Sequence, residues 1–395
     1  MSNLRQSFFH HIGQTSPSPL GLEVQSAEGV YIFDAQGKPY IDLISGISVS
    51  SIGHCNPTVV KAVQEQAAKY MHTMVFGEHI QSPQVKLAKM LTDILPDNLQ
   101  SVFFVSTGAE AVEGAIKLAK RYTRRYEIIA CRNAYHGNTH GAQSLMSHEY
   151  FSSAYRPFLP GIKFIDFNDI DSLNQISKRT AAVFIEPVQG EAGIRVATPE
   201  FMNALRNRCD ETGTLLVLDE IQTGFGRTGK MFAFEHYGIK PDIVLMAKAL
   251  GGGMPIGAFA AAGDVMKVLS DDPVLGHITS FGGHPVSAAA AVASLEFILS
   301  QHLAEKAIEK GKMLIDALNH PKVREIRSKG LLLALDLGNA ENVQKVFHHA
   351  FENGVLIDWF LYDDCSIRIA PPLIISHEEI EKATAVIREG LDRLN

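Results

Sequence analysis

The spacing of hydrophobic and polar positions changes along this chain, and the changes divide it. In the middle, short uninterrupted apolar runs recur at 101–105, 127–131, 163–167, 181–185, 214–218 and 242–246. Runs that do not alternate read as strands buried on both faces, the pattern of a parallel sheet covered by helices. Between them the period lengthens. Over 109–122, Val112, Ala115, Ile116 and Ala119 fall on one helical face, and 199–211 is a second predicted helix. Strands and helices that take turns in this way are the rhythm of an α/β domain.

The two ends follow another pattern. Residues 29–42 predict a hairpin turning at Ala35-Gln36-Gly37. Beyond 286 come a helix over 287–299, a strand over 330–337, a helix over 342–352 and a short strand over 366–369. The last helix opens on a capping box, Ser376 with Glu379, and carries Ile380, Ala383, Val386, Ile387 and Leu391 as its apolar stripe. We therefore expect a large α/β domain over 46–285, and a smaller α+β domain in which 1–45 folds with 286–395. A length of 395 residues suits two such units.

Composition narrows the function classes. Net charge is −7, with 46% hydrophobic and 20% charged residues, so no basic surface points to nucleic acid or an anionic membrane as a partner. Residues 1–16 lack the apolar core of a signal peptide, and no apolar run approaches the ~18 residues a membrane helix needs. Cys55, Cys131, Cys209 and Cys365 lie far apart with no CxxC pair, which predicts a reduced, cytoplasmic protein without a disulfide frame or a metal site.

Several positions could carry chemistry. Lys248 closes an apolar run and precedes Ala249-Leu250-Gly251-Gly252-Gly253. Desolvation would lower its amine pKa and make it a nucleophile toward an aldehyde, while the glycines let backbone crowd a flat ligand. A strand-end lysine snorkelling to water is the alternative. Asp219 ends another run; a carboxylate at the carboxyl end of a parallel strand points into the ligand crevice, where it could keep a ring nitrogen protonated. A helix N-cap is the competing use of such an aspartate. Ser106-Thr107-Gly108-Ala109-Glu110 lies between strand and helix, as either a phosphate site or a simple cap. Tyr135, in Ala134-Tyr135-His136-Gly137-Asn138, could stack on a flat ring or be an ordinary loop tyrosine. Arg368 interrupts an apolar strand and needs an anion, either a substrate carboxylate or a structural partner. Gly224-Phe225-Gly226-Arg227-Thr228-Gly229 satisfies GxGxxG, but it neither follows its strand directly nor opens a helix, so no nucleotide site is expected.

Taken together, these segments resemble the class III aminotransferases, the subgroup II branch of fold-type I pyridoxal-phosphate enzymes. The resemblance runs from about residue 29 to 372. It rests on Gly46-Ile47-Ser48-Val49 with Gly53-His54, Ser106 to Glu110, Tyr135-His136-Gly137, Glu186-Pro187-Val188-Gln189-Gly190-Glu191, Asp219-Glu220-Ile221-Gln222, Lys248 with its glycines, Thr279-Ser280-Phe281-Gly282-Gly283, and the Arg368 strand.

The resemblance implies a large, mostly parallel-sheet α/β domain and roles for its residues. Lys248 is similar to the Schiff-base lysine that also shuttles the proton, and Asp219 to the partner of the pyridine nitrogen. Gln222 would lie near the ring hydroxyl, Ile221 and Tyr135 on the two ring faces, and Gly108 and Ala109 at the phosphate. His136 and Glu186 fall in the same cofactor-binding set. Ser280 would complete the phosphate site from a neighbouring subunit, which implies a homodimer with shared sites. Arg368 is similar to the arginine that binds the α-carboxylate of 2-oxoglutarate or glutamate, and Glu191 to the carboxylate that pairs with it when another substrate is bound. Ile47, Asn138 and Thr279 fall at substrate positions.

Two of these bear on the donor. Ile47 stands where ornithine enzymes carry tyrosine and where acetylornithine and 4-aminobutyrate enzymes carry isoleucine. Asn138 stands where these members usually have an arginine for the donor carboxylate; asparagine can hydrogen-bond but supplies no charge. Either the donor has no carboxylate at that distance, or another basic residue takes the place. The function implied is ping-pong transfer of an amino group from an amine or ω-amino acid, acetylornithine- or 4-aminobutyrate-like, to 2-oxoglutarate or pyruvate. An aminomutase, lyase or racemase on the same scaffold is the alternative.

Overall fold

The computed structural model describes residues 4–394. At its centre is a seven-stranded sheet. Its strands in chain order are β1 (Ser101–Val105), β2 (Glu127–Cys131), β3 (Ile162–Ile165), β4 (Thr180–Ile185), β5 (Leu215–Asp219), β6 (Ile243–Met246) and β7 (Gly257–Ala261). Across the sheet they lie in the order β1-β7-β6-β5-β4-β2-β3. Strands β2 to β6 pair parallel, and β7 runs antiparallel to both β6 and β1.

The unbroken apolar runs have a simple cause. Ile129, Val183, Leu216, Leu218, Val244 and Met246 enter one core, whereas Ile128, Phe184, Val217, Leu245 and Phe259 enter the other. Successive side chains point to opposite faces, so a strand with helices on both sides must be apolar at every position. Helix α1 (Gly108–Thr123) covers one face, with Val112, Ala115, Ile116 and Ala119 buried as the periodicity predicts. Helix α2 (Pro199–Thr212) lies between β4 and β5 in the chain, capped by Thr198, whose hydroxyl accepts from the Phe201 N–H.

Strand β7 has no counterpart in the expected elements. Its sequence, Gly-Ala-Phe-Ala-Ala, is poor in β-branched residues and gives no strand signal. Its glycine is needed nonetheless: a Cβ on Gly257 would collide with the Thr107 carbonyl just before α1. Helices Pro57–Lys69 and Ser82–Ile94 also went without a predicted counterpart; both pack on the helix Pro285–Ser300.

Toward the chain ends the expected hairpin is present as Tyr31–Asp34 and Pro39–Asp42, extended on one side by Val24–Glu28. Pro39–Asp42 pairs parallel with Val355–Leu356, so the first and last parts of the chain share a sheet. A second small sheet holds Glu325–Ser328, Leu333–Asp336, Ser366–Ile369 and Asp358–Trp359. The expected strand over 330–337 is therefore shorter, since residues 329–332 form the turn that leads into it. The terminal helix His377–Asp392 carries the Ser376/Glu379 capping box.

Candidate active site

Carboxyl ends of parallel strands converge on one cavity of about 440 Å³. Strand β1 leads to Ser106 and Thr107, β2 to Tyr135, His136 and Asn138, β4 to Glu186, β6 to Lys248, and β5 ends on Asp219 itself; all of these line the cavity. Gly108, Ala109, Glu191, Ile221 and Gln222 complete the predicted residues found there.

Asp219 is buried. One carboxylate oxygen accepts from the Ile221 N–H at 3.0 Å, and the other lies 2.7 Å from His136 Nδ1. Turns, not a helix, follow Asp219, so the helix-cap alternative is excluded. Burial alone would lower the His136 pKa; the hydrogen bond and charge of Asp219, with Glu186 behind, outweigh it and raise it. Two polar atoms of this group, His136 Nε2 and Gln222 Nε2, are buried with no hydrogen-bond partner. Glu186 accepts from the N–H groups of Tyr135 at 3.0 Å and Gly190 at 3.3 Å. Burial pushes its pKa up to about 7, opposed by His136 and assisted by the Asp219 charge. A Cβ on Gly190 would strike the Gln222 side-chain amide, so the glycine leaves room for Gln222 as it lies.

Lys248 adopts φ 49°, a left-handed conformation that a lysine takes only under constraint. It lines the cavity, and burial lowers its amine pKa against the opposing charge of Glu191. Beside it, Thr107 accepts from the Glu110 N–H at 3.2 Å, and the Glu110 carboxylate accepts from the Ser106 N–H at 2.7 Å. That reciprocal cap leaves Gly108 and Ala109 in the first helical turn, where N–H groups have no partner within the helix and attract an anion.

At the other side of the cavity stands Arg368, buried and outside the lining itself. Its Nη1 donates to Glu191 Oε1 at 2.6 Å and its Nη2 to Glu191 Oε2 at 3.2 Å. Nε donates to Asp358 Oδ1 at 3.1 Å, and Nη2 also to the Trp359 carbonyl at 2.8 Å. The guanidinium sits 4.9 Å from the Phe360 ring centroid. Glu191 is held further by the Leu361 N–H at 3.0 Å.

Three predicted residues lie elsewhere. Ile47 is 36% exposed within a left-handed turn, and Val49 lines the cavity in its place. Ser280 is exposed, its carbonyl accepting from His72 Nε2 at 2.7 Å, while Thr279 lines a separate cavity with Val75, Phe104 and Gly282. Sequence reasoning did not single out Val49, Met254, Pro255, Ile256 or Asp358. The first four are apolar positions without a chemical signature. Asp358 becomes visible only through strand pairing, which sets it opposite Arg368.

The GxGxxG stretch is no nucleotide site. Arg227 within it is fully buried, donating to the carbonyls of Leu331 (3.0 Å) and Pro371 and to Ser51 Oγ (2.9 Å). Among the described residues no group of three or more His, Cys, Asp or Glu could hold a metal, and no single helix is long and apolar enough to cross a membrane.

The model of the family "Aminotransferase class-III" matches residues 12–391. The chain is 41% identical over 376 residues to the acetylornithine aminotransferase of Methanocaldococcus jannaschii, covering 92% of this chain and 91% of that one. It is 38% identical over 385 residues to the enzyme of that name from Methanopyrus kandleri, covering 97% of each. Among solved structures, the ornithine aminotransferase of Toxoplasma gondii, described with partial occupancy of PLP at its active site, superposes with a TM-score of 0.90 at 31% identity over 98% of this chain and 94% of that one. A transaminase from the marine bacterium Virgibacillus gives 0.92 at 28% identity over 98% of each. Fold, cavity and relatives agree: this chain belongs to the class-III aminotransferases and is a pyridoxal-phosphate-dependent transaminase of fold type I.

Proposed function

We propose that this enzyme takes the amino group of an amine or ω-amino acid, acetylornithine- or 4-aminobutyrate-like, and passes it to 2-oxoglutarate or pyruvate in a ping-pong cycle. The observation that carries this reading is the Arg368–Glu191 pair at 2.6 Å, in which Glu191 lines the cavity and Arg368 stands behind it, an arginine fork already occupied by a side chain that a substrate carboxylate could replace. The cavity fits the cofactor: it joins an anion-attracting helix start, a buried acid, a desolvated lysine and two orphaned polar atoms, His136 Nε2 and Gln222 Nε2. Bound pyridoxal phosphate supplies an aldehyde that receives the amino group and a ring that takes up the electrons of the broken C–H bond.

The chain's own residues would do the rest. Lys248 is the covalent tether and proton carrier, its amine made nucleophilic by desolvation. Asp219, oriented by His136, keeps the ring nitrogen protonated. Tyr135 and Ile221 close the two ring faces, Gln222 reaches the ring hydroxyl, Glu186 supports the Tyr135 loop, and Gly108 and Ala109 hold the phosphate. Ser280 and Thr279, exposed or turned to another cavity in one chain, reach the site of a second copy, so the working unit is a homodimer. In this reading 46–285 forms the cofactor domain, the two chain ends form the smaller one, and the enzyme is cytoplasmic. Asn138 lines the cavity without charge, so either the donor has no carboxylate at that distance or another basic residue takes the place.

A panel of amines and ω-amino acids, each added alone, tests the proposal. A donor should convert the cofactor to its amine form, and 2-oxoglutarate or pyruvate should reverse it. If no amine on the panel alters the cofactor spectrum, or if a donor added without oxo acid is turned over while the aldehyde form persists, the reading is wrong.

A further inference from the structure

Arg368 has two acidic partners, and they are held in different ways. Asp358 and Arg368 are directly opposite in register where Asp358–Trp359 pairs antiparallel with Ser366–Ile369. Their ion pair, Nε to Oδ1 at 3.1 Å, is thus fixed by a strand ladder. Glu191 lies outside any strand, in the turn between Val188–Gln189 and Arg195–Val196, and its bonds to Arg368 use the Nη pair, the geometry a carboxylate would take over.

We propose that Asp358 is a specificity-determining residue, a permanent counter-ion that keeps Arg368 electrically neutral toward the incoming substrate after Glu191 has moved aside. This rests on the reading of Arg368 as the oxo-acid site. When Glu191 leaves, Arg368 and Asp358 sum to zero charge. The substrate carboxylate then gains the directional hydrogen bonds of Nη1 and Nη2 without the pull of a full cation. Other charges within reach are Lys248, Asp42 and the displaced Glu191 itself. The arrangement trades affinity for exchange: each cycle must evict the acceptor so that a differently charged donor can enter, and a neutralised arginine releases a carboxylate more readily than a bare one. Asp358 also acts as the acceptor that sets the angle of the fork through Nε, so removing its charge and removing its oxygen should have opposite effects.

The experiment is calorimetric titration of the cofactor-loaded enzyme with glutarate, a dicarboxylate with no oxo group to react. Asp358→Asn keeps an acceptor for Nε and removes the charge; glutarate should bind about tenfold tighter, equivalent to about 1.4 kcal/mol. Asp358→Ala removes both and should give most of that gain back. Should the Asn variant fail to retain cofactor, Asp358→Ser is titrated instead, with a gain expected in the same direction. Unchanged or weaker binding in the Asn variant, or in the Ser variant where the Asn variant does not retain cofactor, overturns the proposal. Arg368→Lys separates the two layers. If it leaves glutarate binding untouched, the assignment of Arg368 as the oxo-acid site is what fails. If binding needs Arg368 but ignores Asp358, only the counter-ion proposal fails.

Discussion

The two ends of the cavity solve the problem of a buried charge in different ways. At one end, Asp219 has a single ionisable hydrogen-bond partner, His136, 2.7 Å away, and the pair is buried beneath a sheet that fixes Asp219 at a strand end. At the other, Arg368 has two acids, one on a paired strand and one in a turn. The first arrangement has no spare partner and so has one state. The second can lose one acid and keep the other, so it has two. A cofactor that stays through every cycle needs the first kind of site; substrates that alternate need the second.

The largest effect should come from the fixed end. Lys248→Ala should cut kcat by about 10⁴-fold, the upper range for a group that moves the proton, and borohydride should attach the cofactor to the peptide containing Lys248 in the wild type. A label on any other peptide, or ordinary turnover by the variant, would sink the assignment. Asp219→Asn removes the charge beside His136 and should lower kcat by roughly 10²–10³-fold, the range for loss of one preorganised electrostatic group. A larger change in KM than in kcat would count against its place at the ring.

A third prediction concerns the acid that supports this end. Glu186 has its pKa raised from 4.5 to about 7 by burial. The folded protein therefore holds a proton that the unfolded chain has released between about pH 4.5 and 7, and stability contributed by that proton is lost as pH rises through this window. Denaturant titrations of the cofactor-free protein should show that Glu186→Gln flattens the decline by up to one proton, about 1.4 kcal/mol per pH unit. An unchanged slope would mean that Glu186 is ionised in the fold. The smallest effect is expected at Asn138, on the cavity wall. Asn138→Arg should improve kcat/KM for 4-aminobutyrate or acetylornithine by about tenfold, the worth of one charge-assisted contact near 1.4 kcal/mol. No gain would show that another group already holds the donor carboxylate.

Much of the Asp219 end was legible from sequence because its residues follow apolar runs. A run buried on both faces announces itself by composition, and the residue that breaks it, Asp219 or the Lys248 just beyond β6, stands out as a polar group at a strand end. Strand β7 was not legible, because Gly and Ala give no propensity signal; only its fit against the Thr107 carbonyl explains the glycine. Arg227 read as part of a spurious loop motif, and its burial follows from carbonyls at 331 and 371, more than a hundred residues away. The left-handed turn at Ser45–Ser48 likewise has no signature beyond Gly46, since it is held by Asp42 and by the Ala370 carbonyl.

By itself, then, the sequence determined the α/β core, the helix caps and the identity of the polar groups that gather at the strand ends. These depend on local periodicity and on residue types at strand ends, which neighbours in the chain decide. Tertiary structure alone decided that Asp358 shares Arg368 with Glu191. That choice depends on strand register between segments ten residues apart and on a turn 177 positions earlier, and register is set by packing across the sheet, where no local pattern records it.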